Sequence, residues 1–212
     1  KPKVRIVLDM TASGVNGNMT APRFVMPSVE EVAADAYESC YFLVTDLSDG
    51  FYMSRVHPDS QVYLGVRHPK TQKLYTYTRL VMGLVVSPHR FSRKVATMIK
   101  MALEQLDEFK ITEYRVNDSD PHMPRVYGVN SAGRPVPSLK YYCDDGVITG
   151  PTKDSVRRAF ASLMWLLEAR LGMRVNRSKT VGPAHRVPLL GLELDSVGKD
   201  VGGPCTRLPQ KR

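Results

Sequence analysis

The fold is decided by the stretch Tyr141-Tyr-Cys-Asp-Asp-Gly-Val-Ile-Thr149, which places two adjacent carboxylates between two short apolar arms. The dipeptide Asp145-Gly146 is a frequent hairpin turn. We therefore expect the arms Tyr141–Cys143 and Gly146–Thr149 to flank a tight turn that carries Asp144 and Asp145. Aspartate is common in turns for purely conformational reasons, so turn closure is the alternative interpretation of the pair.

A third carboxylate ends an earlier apolar run, Cys40-Tyr-Phe-Leu-Val-Thr-Asp46. A nearly continuous run of this kind is typical of a central strand that is covered on both faces. Neighbouring carboxylates beside apolar strands repel each other and lose hydration, so a cation should compensate them. Magnesium takes one or two carboxylates together with phosphates and water. The three acids therefore predict a divalent-metal site.

The remaining pattern alternates strands, helices and hairpins, which favours an α+β fold of antiparallel sheet backed by helices. The segment 113–138 is polar and rich in Pro and Gly, and we interpret it as an inserted loop. Capping residues and hydrophobic spacing predict, in chain order, a strand over Val4–Met10, a helix from Ser28 to about Glu38, a strand over Cys40–Asp46, a hairpin of Gln61–Arg67 and Lys73–Arg79, a helix from Ser87, a helix over Asp154–Leu171 and a strand over Val187–Leu194.

The charge balance is basic, with 30 Lys and Arg against 21 Asp and Glu and a formal net charge of +9. This excess suits a polyanionic partner, because phosphates release counterions when cations bind them. A basic surface without such a partner is equally compatible. The helix from Ser87 shows the same ambiguity, since its cations suit either a solvated face or phosphate contacts: Arg90, Arg93, Lys94 and Lys100.

Cysteine usage points to a reducing, intracellular compartment. The three cysteines, Cys40, Cys143 and Cys205, lie far apart and lack the close spacing of zinc or disulfide frameworks. The longest apolar runs are too short for a membrane span, and we expect no membrane partner.

Two motifs give the chain a family resemblance. Tyr142-Cys-Asp-Asp145, preceded by Asp46-Leu-Ser-Asp-Gly-Phe51, resembles the Y-x-D-D and D-x-x-x-x-[FY] motifs of reverse transcriptases. Further segments are similar to motifs of that family in the family's order: Val4-Arg-Ile-Val-Leu-Asp9, Leu80-Val-Met-Gly83 with Ser87-Pro88 and Phe91, Leu171-Gly-Met-Arg-Val-Asn176 with Ser178-Lys179-Thr180, and Leu189-Leu-Gly191-Leu-Glu-Leu194.

The subgroup that the sequence favours is a retroelement of the DIRS or LTR retrotransposon type. This interpretation rests on Arg55-Val-His-Pro-Asp-Ser60 and Leu190-Gly-Leu-Glu-Leu-Asp-Ser196.

The resemblance implies an RNA-directed DNA polymerase that uses two magnesium ions, for which manganese can substitute. Asp46 and Asp144 would ligate both ions, and the carbonyl of Leu47 would add a further oxygen. Asp145, also catalytic and a metal ligand, would act more through its charge. The ions would lie about 3.5–4 Å apart, activate a primer 3′-hydroxyl and steady the departing pyrophosphate.

The incoming dNTP would meet residues of several motifs. Arg5, assisted by Lys3, would pair a phosphate; the alternative for both is an edge-strand cation that points into water. Phe51 matches the steric-gate position, where a bulky ring excludes a 2′-hydroxyl; a core aromatic is the alternative. Gly83 would let the backbone approach the nucleotide, and Met82 stands where the family usually has Phe or Gln.

The two remaining assignments lie near the C-terminal end. Lys179 would neutralise charge or protonate the pyrophosphate as a general acid; a solvated lysine is the alternative. Leu190 and Gly191 would grip the primer end.

The resemblance also implies a domain plan for residues 1–212: fingers over roughly 1–38 and 54–84, palm over roughly 39–53 and 85–196, and the start of a linker over 197–212. No thumb is recognised, and a thumb with an RNase H or other retroelement domain is expected in the full-length protein. The expected partners are a primed RNA or DNA template and dNTPs.

Two other functions remain open. A catalytically inactive or domesticated reverse-transcriptase-like module could bind nucleic acid or protein without chemistry, although intact acids argue against it. An RNA-dependent RNA polymerase is disfavoured by Phe51, because ribonucleotide users need a smaller or polar residue at that position.

Overall fold

The structure is a computed structural model that describes residues 7–26, 28–117, 125–198 and 204–208. Arg5 and Lys3, the predicted phosphate contacts, lie outside the described residues. The strands are β1 Tyr41–Asp46, β2 Gly65–Arg67, β3 Leu74–Thr76, β4 Glu113–Asn117, β5 Arg125–Val129, β6 Ser138–Tyr142, β7 Asp145–Gly150, β8 Val181–Ala184, β9 Arg186–Leu189, β10 Leu192–Asp195 and β11 Cys205–Arg207. The helices are α1 Val29–Ala33, α2 Pro58–Gln61, α3 Ser87–Gln105 and α4 Lys153–Met164.

The chain divides into two compact units. The first unit comprises Lys1–Val25 and Asp49–Lys94, and the second comprises Met26–Ser48 and Val95–Arg212. The predicted fingers and palm boundaries stay a prediction.

A four-stranded antiparallel sheet organises the second unit, with the strand order β6-β7-β1-β8. β1 lies inside this sheet, and five of its six residues are buried, as the apolar run predicted. Phe42 and Val44 on one face join Val147, Val187 and Leu194 in a hydrophobic cluster. The paired residues Leu43 and Ile148 point to the opposite face by alternation, and α4 packs against these strands.

The predicted strand Val187–Leu194 is in fact a hairpin of β9 and β10. Its turn consists of Leu190 and Gly191, both of which have positive φ, 51° and 81°. Positive φ at both central residues is the geometry of a type I′ hairpin turn. Sequence patterning missed this turn because a leucine rarely adopts such a conformation.

The segment 113–138 was predicted to be a loop, and this is wrong because it contains a β-hairpin. β4 and β5 pair antiparallel through five residue pairs, from Glu113 opposite Val129 to Asn117 opposite Arg125, and β6 begins at Ser138. β4 alternates polar residues with Tyr114 and Val116, and β5 contains two Val residues and one Tyr; these residue types favour extended backbone. The flanking Pro and Gly residues concealed this pattern.

The first unit has its own core, formed by Met10, Leu64, Leu80, Val81 and Leu84. The predicted hairpin is confirmed but shorter, with β2 and β3 paired from Gly65 opposite Thr76 to Arg67 opposite Leu74. The predicted strand Val4–Met10 is wrong over residues 7–10, which form coil and a turn, while residues 4–6 are not described.

The helix predictions hold with changed limits. The capping box of α1 is present, since Ser28 accepts from the amide of Glu31 and its own amide donates to the Glu31 carboxylate. α1 nevertheless ends at Ala33 rather than near Glu38. α4 continues as a π-helical segment over Trp165–Arg170 and stops before Gly172, whose φ is 60°.

The apolar stripe of α3 is buried as predicted: Phe91, Val95, Met98 and Ala102, with Leu106 just beyond the helix. None of the helices among the described residues combines the length and apolar character that crossing a membrane requires.

Candidate active site

The strand register brings two of the three predicted acids together. Asp46, the last residue of β1, is the direct antiparallel partner of Asp145, the first residue of β7. Directly opposite residues point to the same face, with Cβ atoms about 4.5–5.5 Å apart. Asp46 is 8% exposed, so its carboxylate lies at the edge of the core.

Asp144 belongs to the adjoining turn. Tyr142 pairs with Asp145, which leaves Cys143 and Asp144 as the two turn residues. The turn was expected to carry Asp144 and Asp145; it lies one position earlier, and Asp145 already belongs to β7. Cys143 has a φ of 54°, a conformation that glycine usually supplies. The carbonyl of Asp144 accepts a 2.8 Å bond from the amide of Leu47, which ties the turn to the end of β1.

Lys179 forms a direct hydrogen bond with one of these acids. Its Nζ donates to Oδ1 of Asp46 at 2.7 Å. The amide of Asn176 donates to the carbonyl of Asp46 at 2.8 Å, which fixes the 3₁₀ segment Arg177–Lys179 beside the strand end. The hydrogen bond to Asp46 and the surrounding carboxylates raise the pKa of Lys179. The Lys179 side chain is 55% exposed as well as paired, so its role as a general acid stays a prediction.

Negative charge accumulates at the turn. Burial, followed by the charges of Asp144 and Asp46, raises the pKa of Asp145 to about 6, while Lys179 opposes the shift. Burial and the Asp144 charge also raise the pKa of the Cys143 thiol to about 11. One lysine therefore does not compensate the three carboxylates fully.

The acids do not form a ready-made metal cage. Within the described residues, no group of three or more His, Cys, Asp and Glu side chains is arranged to hold a metal ion by itself. Magnesium does not require such a cage, because substrate phosphates and water complete its six ligands. The undercompensated charge at Asp145 fits a divalent cation of this kind. The Leu47 carbonyl stays a predicted ligand.

Tyr141 and Gly146 support the turn by packing against each other, a contact that the sequence did not predict. They are direct partners on β6 and β7, and the Tyr141 ring fills the space that a Cβ at position 146 would occupy. The Tyr141 hydroxyl is buried and has no hydrogen-bond partner among the described residues. Burial strongly raises its pKa. The pairing of a large ring with glycine next to Asp145 was the available sequence signal.

The predicted nucleotide contacts Phe51, Met82 and Gly83 belong to the first unit. Phe51 is partly buried, and its ring meets Phe91 edge-on with centroids 5.6 Å apart. Met82 accepts a backbone bond from Leu8. Gly83 has a φ of 95°, and a Cβ there would overlap the carbonyl oxygen of Leu8. Packing within the unit therefore already requires glycine at this position, independently of any nucleotide.

The predicted primer-grip residues form the turn of the β9–β10 hairpin. Leu190 packs at the edge of the hydrophobic cluster around Phe42 and Val44, and Gly191 is exposed with open space around its Cα. The hairpin is anchored by Asp195, which is buried and pairs with Arg186 at 3.0 Å and Arg207 at 3.3 Å. Its role towards a primer stays a prediction.

The fold has solved counterparts. The foamy viral protease–reverse transcriptase in complex with double-stranded DNA aligns with a TM-score of 0.65 at 20% identity, over 93% of this chain and 29% of the other. The same protein in complex with an RNA/DNA hybrid gives a TM-score of 0.64 at 20% identity, over 96% and 22%. The native prototype foamy virus protein gives 0.59 at 20%, over 98% and 21%. The chain thus spans less than a third of these structures, and the likeness shows the fold.

Curated proteins show no match to the chain. A family model, described as reverse transcriptase (RNA-dependent DNA polymerase), matches residues 5–194. This span contains the three acids, Lys179 and the β9–β10 turn. Since the match covers most of the 212 residues, the chain belongs to the reverse transcriptase family.

Proposed function

We propose that this chain catalyses RNA-directed DNA synthesis, in which a primer 3′-hydroxyl attacks the α-phosphate of a dNTP and pyrophosphate leaves. The observation that carries the proposal is the cross-strand pair Asp46 and Asp145. Asp144 lies in the adjoining turn, where its carbonyl accepts a hydrogen bond from the Leu47 amide. Acids that are far apart in sequence meet at the ends of two paired strands. A site for phosphoryl chemistry requires such fixed positioning of its charged groups.

Two magnesium ions, held by Asp46 and Asp144 with Asp145 and the Leu47 carbonyl beside them, would activate the 3′-hydroxyl and neutralise charge on the phosphates. The chain's own contribution is positioning. β1 and β7 fix the carboxylates, and the Leu47 amide holds the turn. Lys179 keeps a proton at Nζ and can deliver it to the departing pyrophosphate, as a general acid does.

Two features support dNTPs and nucleic acid as substrates. Phe51 presents a partly buried aromatic ring at the position that matches the steric gate. The net charge of +9 favours a polyanionic partner. The foamy viral proteins of similar fold were solved with double-stranded DNA and with an RNA/DNA hybrid, and we extend these ligand classes to this chain as part of the proposal.

The deciding experiment is primer extension. The purified chain is given a DNA primer on an RNA template, dNTPs and MgCl₂, and extension is compared with Asp144→Asn. We expect the substitution to reduce the rate by roughly 10²-fold or more, because it removes oriented charge from the reacting phosphates. Asp49→Asn is the matched control, since Asp49 is an exposed acid three residues after Asp46 and should keep near wild-type activity.

Equal extension by wild type and Asp144→Asn would refute the catalytic proposal. Nucleic-acid binding without any extension by the wild type would favour the inactive binding module instead. Binding of Mn²⁺, followed by electron paramagnetic resonance, separates these outcomes from a misfolded preparation, because an intact metal site binds the ion without primer or dNTP.

A further inference from the structure

The positive charge of the chain is concentrated in one segment. Residues 60–103 contain eight of the 30 basic residues and none of the 21 acidic ones, so the other 22 basic residues almost balance the acids. The basic residues of this segment are Arg67, Lys70, Lys73, Arg79, Arg90, Arg93, Lys94 and Lys100. A segment with this imbalance is expected to meet an anion outside the chain.

Two of these cations converge on one backbone atom. Nζ of Lys94 lies 3.1 Å from the carbonyl oxygen of Met53, and Nη1 of Arg79 lies 3.5 Å from the same oxygen. All three residues belong to the first unit. In the part of the chain that the structure describes, neither cation forms an ion pair with a carboxylate, whereas Lys100 on the same helix pairs with Glu104.

The Met53 carbonyl explains one cation but not two. It ends the 3₁₀ turn Phe51–Met53, and a donor at such an end satisfies a carbonyl that lacks a helical partner. A neutral carbonyl does not compensate two positive charges. Burial and the nearby Arg79 charge lower the pKa of Lys94, which is the response expected of cations held together without an anion.

A phosphate group meets these requirements. It brings negative charge and several acceptor oxygens, and the guanidinium of Arg79 can bind two of them at once while Lys94 contributes a point charge. Both side chains are only partly buried, so a ligand can reach them.

We propose that Arg79 and Lys94 form a phosphate-binding site for the backbone of a nucleic-acid strand. A strand is favoured over a single nucleotide because the cations of the segment are distributed along 44 residues, 60–103, and because Tyr63 and Tyr75 of the same unit are 63% and 54% exposed. Exposed aromatic rings among cations suit base stacking on a strand. The choice of a strand rests on the proposed function, whereas the phosphate site itself does not.

The test measures the salt dependence of binding. Wild type and Arg79→Gln/Lys94→Gln are titrated with a fluorescein-labelled primed template in EDTA, without dNTP, over a range of salt concentrations. Each phosphate contact contributes about 0.7–0.9 to the slope of log K against log salt. We expect the double variant to bind several-fold more weakly at low salt and to lose about one unit of slope.

The matched control removes the same charges elsewhere. Lys100→Gln/Arg158→Gln also loses one lysine and one arginine, but each of these pairs with a carboxylate four residues away, Glu104 and Asp154. Its slope should stay within a few tenths of the wild-type value. The charge-keeping exchange Arg79→Lys/Lys94→Arg should keep the slope as well, and a loss there would indicate disturbed folding and overturn the assignment.

Two outcomes overturn the proposal in distinguishable ways. If the double variant keeps the wild-type slope while wild type binds and extends primers, the site is refuted and the polymerase proposal stands. If wild type does not bind the primed template at all, both fail. Titration with inorganic tripolyphosphate forms the second arm: loss of tripolyphosphate binding without loss of slope would assign the site to the nucleotide and refute the strand.

Discussion

Nζ of Lys179 lies 2.7 Å from Oδ1 of Asp46, so the lysine binds the same carboxylate that a metal ion would take. The amine supplies in this structure the positive charge that the strand end needs. A cation that enters beside Asp46 must therefore displace Lys179 or share the carboxylate with it. Since like charges repel at such distances, Lys179 and the metal are expected to compete.

The first prediction is that Lys179→Gln raises the affinity for Mn²⁺ in the absence of nucleotide. Removing the competing ammonium should strengthen binding by roughly tenfold, or about 1.4 kcal/mol. Isothermal calorimetry or electron paramagnetic resonance measures this directly. Arg177→Gln is the control, because Arg177 lies in the same 3₁₀ segment but pairs with Glu168 at 2.7 Å. Unchanged or weaker binding by Lys179→Gln would refute the competition.

The second prediction concerns the pH dependence of stability. Asp145 has a pKa of about 6 instead of 3.8, chiefly through burial. The folded protein therefore holds a proton on this group more tightly than the unfolded chain does. This tighter proton binding stabilises the folded state. The stabilisation is fully present below about pH 4 and is lost as pH rises through about 6.

Asp145→Asn should remove this loss. In metal-free buffer at pH 7.5 we expect the free energy of unfolding of the variant to exceed that of wild type by on the order of 1 kcal/mol. This difference is smaller than the full pKa shift implies, because Asp145 is partly exposed to solvent. At pH 4 the two proteins should be nearly equal. Urea unfolding at both pH values measures the effect. Asp59→Asn is the control, because the Asp59 side chain is 89% exposed. A wild-type advantage that grows with pH would contradict the sign.

The convergence of the acids was predictable because it depends on strand ends. Asp46 follows a buried apolar run, and a one-residue slip between β1 and β7 would turn Phe42 or Val147 away from the cluster that they share. The bond between Lys179 and Asp46 was not predictable in the same way. It joins residues 133 positions apart, and its geometry depends on how the 3₁₀ segment Arg177–Lys179 docks beside β1.

Turn positions were the least predictable feature. Cys143 and Leu190 both adopt positive φ, 54° and 51°, against the preference of residues with a Cβ. The tertiary pairing of the flanking strands determines these conformations. Local patterning therefore located the turn at Asp144 to within one residue and missed the turn at Leu190 and Gly191.

The third prediction tests the packing beneath the acidic turn. Gly146→Ala should destabilise the protein by about 1–3 kcal/mol, because the new methyl group overlaps the Tyr141 ring. Tyr141→Leu would create room, so the double variant should recover part of the loss, and a double-mutant cycle of unfolding free energies should show coupling. Tyr141→Phe should be neutral or stabilising, since the buried hydroxyl has no partner among the described residues. Additive effects of the two substitutions would contradict direct packing.

The fourth prediction separates the two interpretations of Phe51. If its ring excludes the 2′-hydroxyl, Phe51→Ala should lower the preference for dNTPs over ribonucleotides by about tenfold or more, the discrimination that a small steric contact supplies. Single-nucleotide kcat/KM values for both sugars measure it, and Phe51→Tyr should keep the preference. Because the ring also packs on Phe91, some loss of stability is expected in Phe51→Ala. A variant that loses stability but keeps sugar selectivity would identify Phe51 as a core aromatic alone.

The fifth prediction compares two glycines with positive φ. Gly83 has a φ of 95°, and a Cβ there overlaps the Leu8 carbonyl oxygen; Gly172 has a φ of 60° and open space around it. Gly172→Ala should cost about 1 kcal/mol for backbone conformation alone. Gly83→Ala should cost about 1–3 kcal/mol more, because backbone atoms must move as well. Urea unfolding measures both. Equal losses of unfolding free energy in the two variants would mean that Leu8 moves aside freely. If Gly83→Ala then also bound dNTP more weakly, the nucleotide, rather than the packing of the first unit, would require glycine at position 83.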